Sequence, residues 1–256
     1  MTRLKSQATR GFVTSSVLPG ERTGPEGKPI ANRILLSLPD REFQAIRPGL
    51  KLKLLRHHTI LHESNRRTEN IYFPNDGLIS LVIVTSNRKT AEAGVIGNEG
   101  VVGLEGLFGL KRSPLREVVQ IEGMAHYASA VGLQELLLQF PGLLLQLSRF
   151  AVLNRMQISQ TAACNRLHEV RERLARWLLM SQDRVQDGMI RMTHDFLATM
   201  LGTDRGSVTE AAGDLQNRGL IEYARGYVKI VNRKALESSS CECYALIREY
   251  NGEMGR

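Results

Sequence analysis

The spacing of apolar residues changes several times along the chain, and each change marks a different kind of structure. Residues 1–32 show no apolar period and are rich in Gly, Pro, Ser and Thr, as in "GERTGPEGKP", which predicts a flexible tail. "NRILLSLPDREFQAI" then predicts one short amphipathic helix burying Leu38, Phe43 and Ile46. From Leu50 the period becomes two. "LKLKLLRHHTILHE", "NIYFPNDGLISLVIVTS", "KTAEAGVIG" and "LREVVQIEGMAHYAS" read as strands separated by Asn, Asp and Gly turns. Short strands at this spacing predict a small antiparallel barrel or roll up to residue 141. Glycine recurs at 94, 97, 100, 103, 106 and 109, and tight turns at positive φ account for such a repeat.

After Pro141 the pattern turns helical. Residues 142–168 contain no Pro or internal Gly, enough for a helix of about 40 Å. Leu144, Leu147, Ala151, Asn154, Ile158 and Thr161 recur at alternating spacings of three and four. That is a heptad stripe with a polar centre, suited to a dimerisation helix; a helix packed on its own domain has the same pattern. "HEVRERLARWLLMSQDRV" predicts a second helix with Val170, Leu174, Trp177 and Leu178 on one face, ended by Asp187-Gly188.

The last region, 169–256, carries the clearest local signal. In "FLATMLGTDRGSVTEAAGDLQNRGLI" two short amphipathic segments meet at Gly202. Thr193 and Asp204 stand where N-caps belong, and Val208, Ala211, Ala212 and Leu215 form a buried stripe. Arg205, Gly206, Ser207, Thr209, Glu210, Gly213 and Asp214 remain outside that stripe. "GLIEYARGYVKIVN" follows as a hairpin, with Ile221 and Tyr223 facing Tyr227, Val228 and Ile230. Two helices, a tight corner and a hairpin form a winged helix-turn-helix, whose second helix enters the DNA major groove. Arg205 suits guanine O6 and N7, Thr209 a thymine methyl and Glu210 cytosine N4. Ser207 and the helix start suit phosphate, while Thr193, Arg225 and Lys229 complete the expected contact set. The alternative is a packing unit of two helices that reads no DNA. Glu210 and Asp214 motivate it, although Arg218 lies one turn beyond Asp214.

Charge limits this reading. The net charge is +8, but residues 1–56 hold eleven Lys/Arg against four Asp/Glu, whereas residues 169–256 hold thirteen of each. The basic excess therefore does not support DNA binding by the last region. Cys164, Cys241 and Cys243 make no disulfide framework, and the C-x-C pair alone does not define a metal site; no metal ligands are assigned. Cys243 is taken as packing in a terminal helix over "SSSCECYALIREY", alongside Leu236, Ser240, Tyr244 and Ile247. His57, His58, His62, His126, His168 and His194 are read as surface or structural residues. No stretch reaches the roughly 20 apolar residues of a spanning helix, and no secretory h-region is evident. A cytoplasmic protein without membrane partners is expected.

From about Asn32 the chain resembles a transcriptional regulator of the Crp/Fnr family. The resemblance rests on "IYFPNDGLISL", "GVIGNEGVVGLEGLFG", "QTAACNRLHEVRERLARWLL" and "MTHDFLATMLGTDRGSVTEAAGDLQNRGLI". It implies an α+β fold. A jelly-roll-like antiparallel β-roll of cyclic-nucleotide-binding type would occupy 33–141 as sensor. A dimerisation helix over 142–168 would precede the reader and its C-terminal helix over 169–256. It further implies a homodimer that binds double-stranded DNA, contacts RNA polymerase and is not an enzyme. A ligand-binding or interaction module that no longer reads DNA is the alternative. The sequence departs from the family at Gly206 and Glu210, which predicts a different operator. The effector pocket would involve Gly103, Leu104, Glu105, Arg112, Ser113 and Arg116. Leu104 follows the cassette glycine where nucleotide binders have Glu, and Arg112-Ser113 runs into Pro114, so a cyclic nucleotide is disfavoured. With three cysteines, none near the N-terminus, neither an iron–sulfur cluster nor haem is expected.

Overall fold

The computed structural model describes residues 17–87, 89–185, 189–224 and 226–254. The start of the expected tail, residues 1–16, and the expected Asp187-Gly188 stop lie outside the described residues. Residues 17–32 correct the expectation of a tail. Ile30 is fully buried, and Arg22, 6% exposed, donates to the carbonyls of Leu35, Leu36 and Leu38 and pairs with Asp40 at 2.5 Å. A buried guanidinium needs acceptors for its fixed donors, and the end of the next helix supplies them. One such anchor orders a segment that composition alone leaves unstructured.

The expected first helix is two helices, α1 (Arg33–Ser37) and α2 (Asp40–Ile46). Pro39 separates them, because it disfavours helical geometry at Leu38, which is extended. Leu38, Phe43 and Ile46 are buried as the pattern implies.

Seven strands follow: β1 (Lys51–Leu55), β2 (Ile60–His62), β3 (Asn70–Pro74), β4 (Leu78–Val84), β5 (Thr90–Ile96), β6 (Leu115–Ile121) and β7 (Gly123–Ser129). They form two antiparallel sheets, β1-β7-β3 and β2-β6-β4-β5. The glycine repeat is not a run of positive-φ turns. Of the six, only Gly103 and Gly109 have positive φ. At Gly100 the constraint is space, since a Cβ there would lie 2.3 Å from the Phe150 ring of the long helix.

Short α3 (Leu104–Leu107) lies between β5 and β6, and α4 (Ala130–Leu137) leads to α5 (Pro141–Leu167). Proline at the first turn needs no N–H partner. The N–H groups of Gly142 and Leu143 donate to the Glu42 carboxylate at 3.0 and 2.7 Å, so the start of α5 is satisfied from α2. Part of its heptad stripe packs within the protomer, while Ala151, Asn154 and Ile158 are half-buried. Leu147 is fully buried, Thr161 is 5% exposed, Ile158 closes on Gly94 and Asn154 lines a cavity of the roll. Of the stripe, Leu144 is exposed; Leu145 and Val152 share that outward side. A helix this apolar covers its own domain first. No single described helix is long and apolar enough to cross a membrane; α4 and α5 pass only as a pair bent by 113°.

The remaining elements are α6 (Val170–Gln182), β8 (Met189–Arg191), α7 (His194–Leu201), α8 (Arg205–Asn217), β9 (Ile221–Ala224), β10 (Tyr227–Ile230), α9 (Arg233–Ser239) and α10 (Cys243–Gly252). Glu169 and Glu172 close a capping box at the start of α6. The hairpin pairs Ile221 with Ile230 and Tyr223 with Val228, and β8 adds a third strand that alternation over three residues does not reveal. The expected terminal helix is two, because Ser240 is extended between α9 and α10.

Roll and reader share a core, in which Leu78, Val82 and Val95 cluster with Leu174, Trp177 and Leu178. Polar links cross the same seam. Trp177 Nε1–H donates to Glu92 at 2.8 Å and Arg184 pairs with Glu99 at 2.7 Å, while Gln157 of α5 donates to the Val95 carbonyl of the roll at 2.7 Å.

Candidate nucleic-acid interface

The corner between α7 and α8 is built as its residues dictate. Thr193 caps α7 by accepting from the Phe196 N–H, and Gly202 takes the left-handed conformation at φ 60°. Asp204 caps α8 by accepting from the Ser207 N–H at 2.9 Å and from the Ser207 hydroxyl at 2.6 Å. Those bonds hold the Asp204 carboxyl below its ordinary range. Behind α8, Val208, Ala211, Ala212 and Leu215 are buried, and each is a position the apolar stripe assigns to the core.

The opposite face is open. Arg205, Gly206, Thr209, Glu210 and Gly213 are exposed and Ser207 is half-buried. Arg205 is 69% exposed and lies 3.6 Å from Asp195, which is equally exposed. The Thr209 hydroxyl donates to the Arg205 carbonyl at 2.9 Å. His194 Nδ1 stands 2.9 Å from the same hydroxyl oxygen. Since Thr209 has spent its only hydrogen, His194 Nδ1–H is the donor. Burial holds the His194 ring below its ordinary pKa, and Arg205 pushes in the same direction. The ring also lies 4.4 Å from that of Tyr223 on the wing. Sequence reasoning set His194 aside; its position as the first residue of α7, one helix before the reading face, was the available signal.

Asp214 does not present a bare charge. Arg171 of α6 lies 3.3 Å from it and Arg218 3.5 Å. Thr193 and Lys229 are exposed, Lys229 on β10 opposite Glu222. Arg225 lies outside the described residues.

Of the expected effector residues, Gly103, Leu104, Glu105 and Ser113 gather about one cavity and the two arginines do not. A cavity of about 140 Å³ lies between the roll and α5, lined by Leu81, Ile96, Leu104, Glu105, Glu117 and Asn154 among others, with no Lys or Arg. Gly103 caps α3 at positive φ, and its N–H donates to Glu117. Ser113 donates to Glu105. Burial raises the Glu105 carboxyl pKa, and Glu117 adds to the shift. Arg116 is turned to Glu63 at 2.9 Å, and Arg112 is exposed and absent from the lining. The expectation that these arginines face the pocket is corrected: the space faces two carboxylates instead.

Elsewhere, Cys164, His168, Cys241 and Cys243 bring their ligating atoms within 4.8 Å of one another. This changes the reading of Cys243 as plain packing.

The fold thus consists of a β-roll, a long helix and a three-stranded winged helix-turn-helix. Residues 172–239 match the family model of the Crp-like helix-turn-helix domain. The match covers the reader, and the fold of the whole chain is similar to that of solved Crp/Fnr-family regulators. FixK2 from Bradyrhizobium japonicum is similar in structure at a TM-score of 0.64 and 16% identity, over 75% of this chain and 98% of that one. TTHB099, a CRP-family transcriptional regulator from Thermus thermophilus, is similar at 0.60 and 20%, over 73% and 96%. The c-di-GMP-responsive global regulator CLP of Xanthomonas campestris is similar at 0.57 and 16%, over 75% and 99%. None of the curated proteins compared with the chain matches it in sequence.

Proposed function

We propose that the protein is a cytoplasmic, homodimeric transcription regulator that binds DNA in a sequence-specific way and catalyses no reaction. One observation carries the reading: α8 is anchored from behind by Val208, Ala211, Ala212 and Leu215 while Arg205 and Thr209 are exposed in front. Arg205 reads guanine and Thr209 a thymine methyl. Ser207 and the start of α8 hold phosphate, and Thr193, Lys229 and Arg225 are the further backbone contacts that the sequence suggests. Gly206 leaves room at the groove, and Glu210 accepts from cytosine. Two copies meet along the outward side of α5, through Leu144, Leu145 and Val152. The two readers then address half-sites about one helical turn apart, and RNA polymerase is the partner the resemblance implies.

Control runs through the seam between roll and reader, so an event in the roll acts by shifting the placement of the readers. The cavity beside α5 is smaller than the roughly 300 Å³ of an ordinary ligand pocket and opposes an anion, which argues against a cyclic nucleotide. Selection of bound duplexes by the purified protein tests the function. The expected result is a two-fold symmetric site whose affinity falls steeply with salt while its sequence preference persists. Retention of no duplex above background would favour an interaction module that reads no DNA.

A further inference from the structure

The last turn of α5 carries Cys164, and His168, the extended residue that caps the helix, donates its backbone N–H to the Cys164 carbonyl. The break between α9 and α10 brings Cys241 and Cys243 against that end of the helix. Cys164 Sγ lies 3.5 Å from Cys241 Sγ, and Cys243 Sγ lies 3.5 Å from His168 Nδ1. A tetrahedral zinc ion with metal–sulfur bonds of about 2.3 Å and metal–nitrogen bonds of about 2.0 Å sets its ligands roughly 3.5–3.8 Å apart. The two measured edges sit at the short end of that range. The three cysteines are buried and group with each other rather than with either apolar core.

The surroundings are those of a metal centre. His168 Nε2 lies 3.3 Å from the Glu242 carboxylate, whose charge favours the proton on Nε2 and a lone pair on Nδ1 toward the sulfurs. A carboxylate behind a histidine is the usual support of a zinc ligand. The Gln160 amide donates to Cys243 Sγ at 3.1 Å. Three thiolates and a divalent ion carry net negative charge. Arg173 and Arg176 are 6% and 3% exposed, their Nε atoms have no hydrogen-bond partner among the described residues, and both act electrostatically on Cys164.

We propose that Cys164, His168, Cys241 and Cys243 bind one zinc ion per chain in a closed structural site. The thiol protons leave to solvent as the sulfurs ligate. The ion fastens α10 to the end of α5, at the joint where Glu169 begins the reader. It therefore holds the C-terminal helix and the hinge in one arrangement. Packing alone does not explain three thiols and an imidazole converging on one centre.

The test uses the full-length reduced chain, stripped of metal and titrated with Co²⁺ alone. Expected are saturation at one equivalent, thiolate-to-cobalt charge-transfer bands, the intense visible bands of tetrahedral cobalt, and their displacement by zinc. Cys243→Ser abolishes the charge-transfer signature at this stoichiometry. Glu242→Gln keeps the stoichiometry and weakens binding by about tenfold or more, so the site is tested even where a cysteine variant fails to fold. Substoichiometric cobalt without thiolate bands overturns the proposal. So does iron with acid-labile sulfide in the chain as isolated, or a Cys164–Cys241 disulfide that persists in reductant.

Discussion

The seam between roll and reader and the outward face of α8 are both rich in charged side chains, and they treat them in opposite ways. At the seam, Arg184 and Glu99 are 4% and 7% exposed, and the Arg184 guanidinium also donates to the Met180 carbonyl. On α8, Arg205 and Asp195 are each 69% exposed and make one long contact. Buried charges repay their desolvation only with fixed partners, so the seam holds one relative placement of the two parts. An exposed pair costs little to separate, so Arg205 is free to exchange Asp195 for another partner.

The largest expected effect comes from breaking the buried pair. Arg184→Ala leaves the Glu99 carboxylate buried without its partner and should cost about 3–5 kcal/mol of stability. Denaturant unfolding reads the loss. Adding Glu99→Gln to that variant should recover part of it, because the uncompensated charge is then gone. A cost within a few tenths of a kcal/mol would mean that water reaches the seam.

A smaller effect at the same seam depends on pH. Burial pushes the Glu92 carboxyl up to about 7, against hydrogen bonds from Ser80 at 2.5 Å and Trp177 at 2.8 Å and the charges of Arg176 and Arg184. The folded state thus keeps its proton where the unfolded chain has already lost it. The associated stability is fully present below the ordinary carboxylate pKa and is lost as pH rises through about 7, a total on the order of 3 kcal/mol. Glu92→Gln keeps an acceptor for Trp177 and a polar partner for the Ser80 hydroxyl, which turns to accept from the amide, without the titration. Its stability should therefore fall less than that of the parent between pH 5 and 8. Parallel profiles would show that Glu92 does not titrate in this range.

The contrast between seam and reading face also separates what the sequence disclosed from what it did not. The reader was legible because its signals are local: caps at Thr193 and Asp204, a corner at Gly202, and an apolar stripe at helical spacing. The seam was not, since Glu92 and Trp177, or Glu99 and Arg184, are 85 residues apart and only the folded chain brings them together. The same holds for Arg22, which orders a segment of tail-like composition, and for Cys164 with Cys241. The stripe on α5 was legible, but not how its residues divide between the protomer's own roll and the outward side, because periodicity reports an apolar face and not what covers it. In the cassette, Arg116 was legible as a cation but not its turn toward Glu63.

On the reading face the comparison predicts a change in binding with almost none in folding. Arg205→Ala removes an exposed contact with Asp195 at 3.6 Å, so stability should move by no more than about 0.5 kcal/mol. Affinity for the selected duplex should fall by about 1–3 kcal/mol, with preference relaxed at one base position. Fluorescence anisotropy on the selected site and on each single-base substitution of it separates two roles for the guanidinium. Loss of discrimination at one position identifies a base contact. An equal loss on every duplex, with a shallower dependence on salt, identifies a phosphate contact instead. Thr209 would then be left to discriminate at that end of the helix, because its hydroxyl is already committed to the Arg205 carbonyl and its methyl is what it has to offer a base.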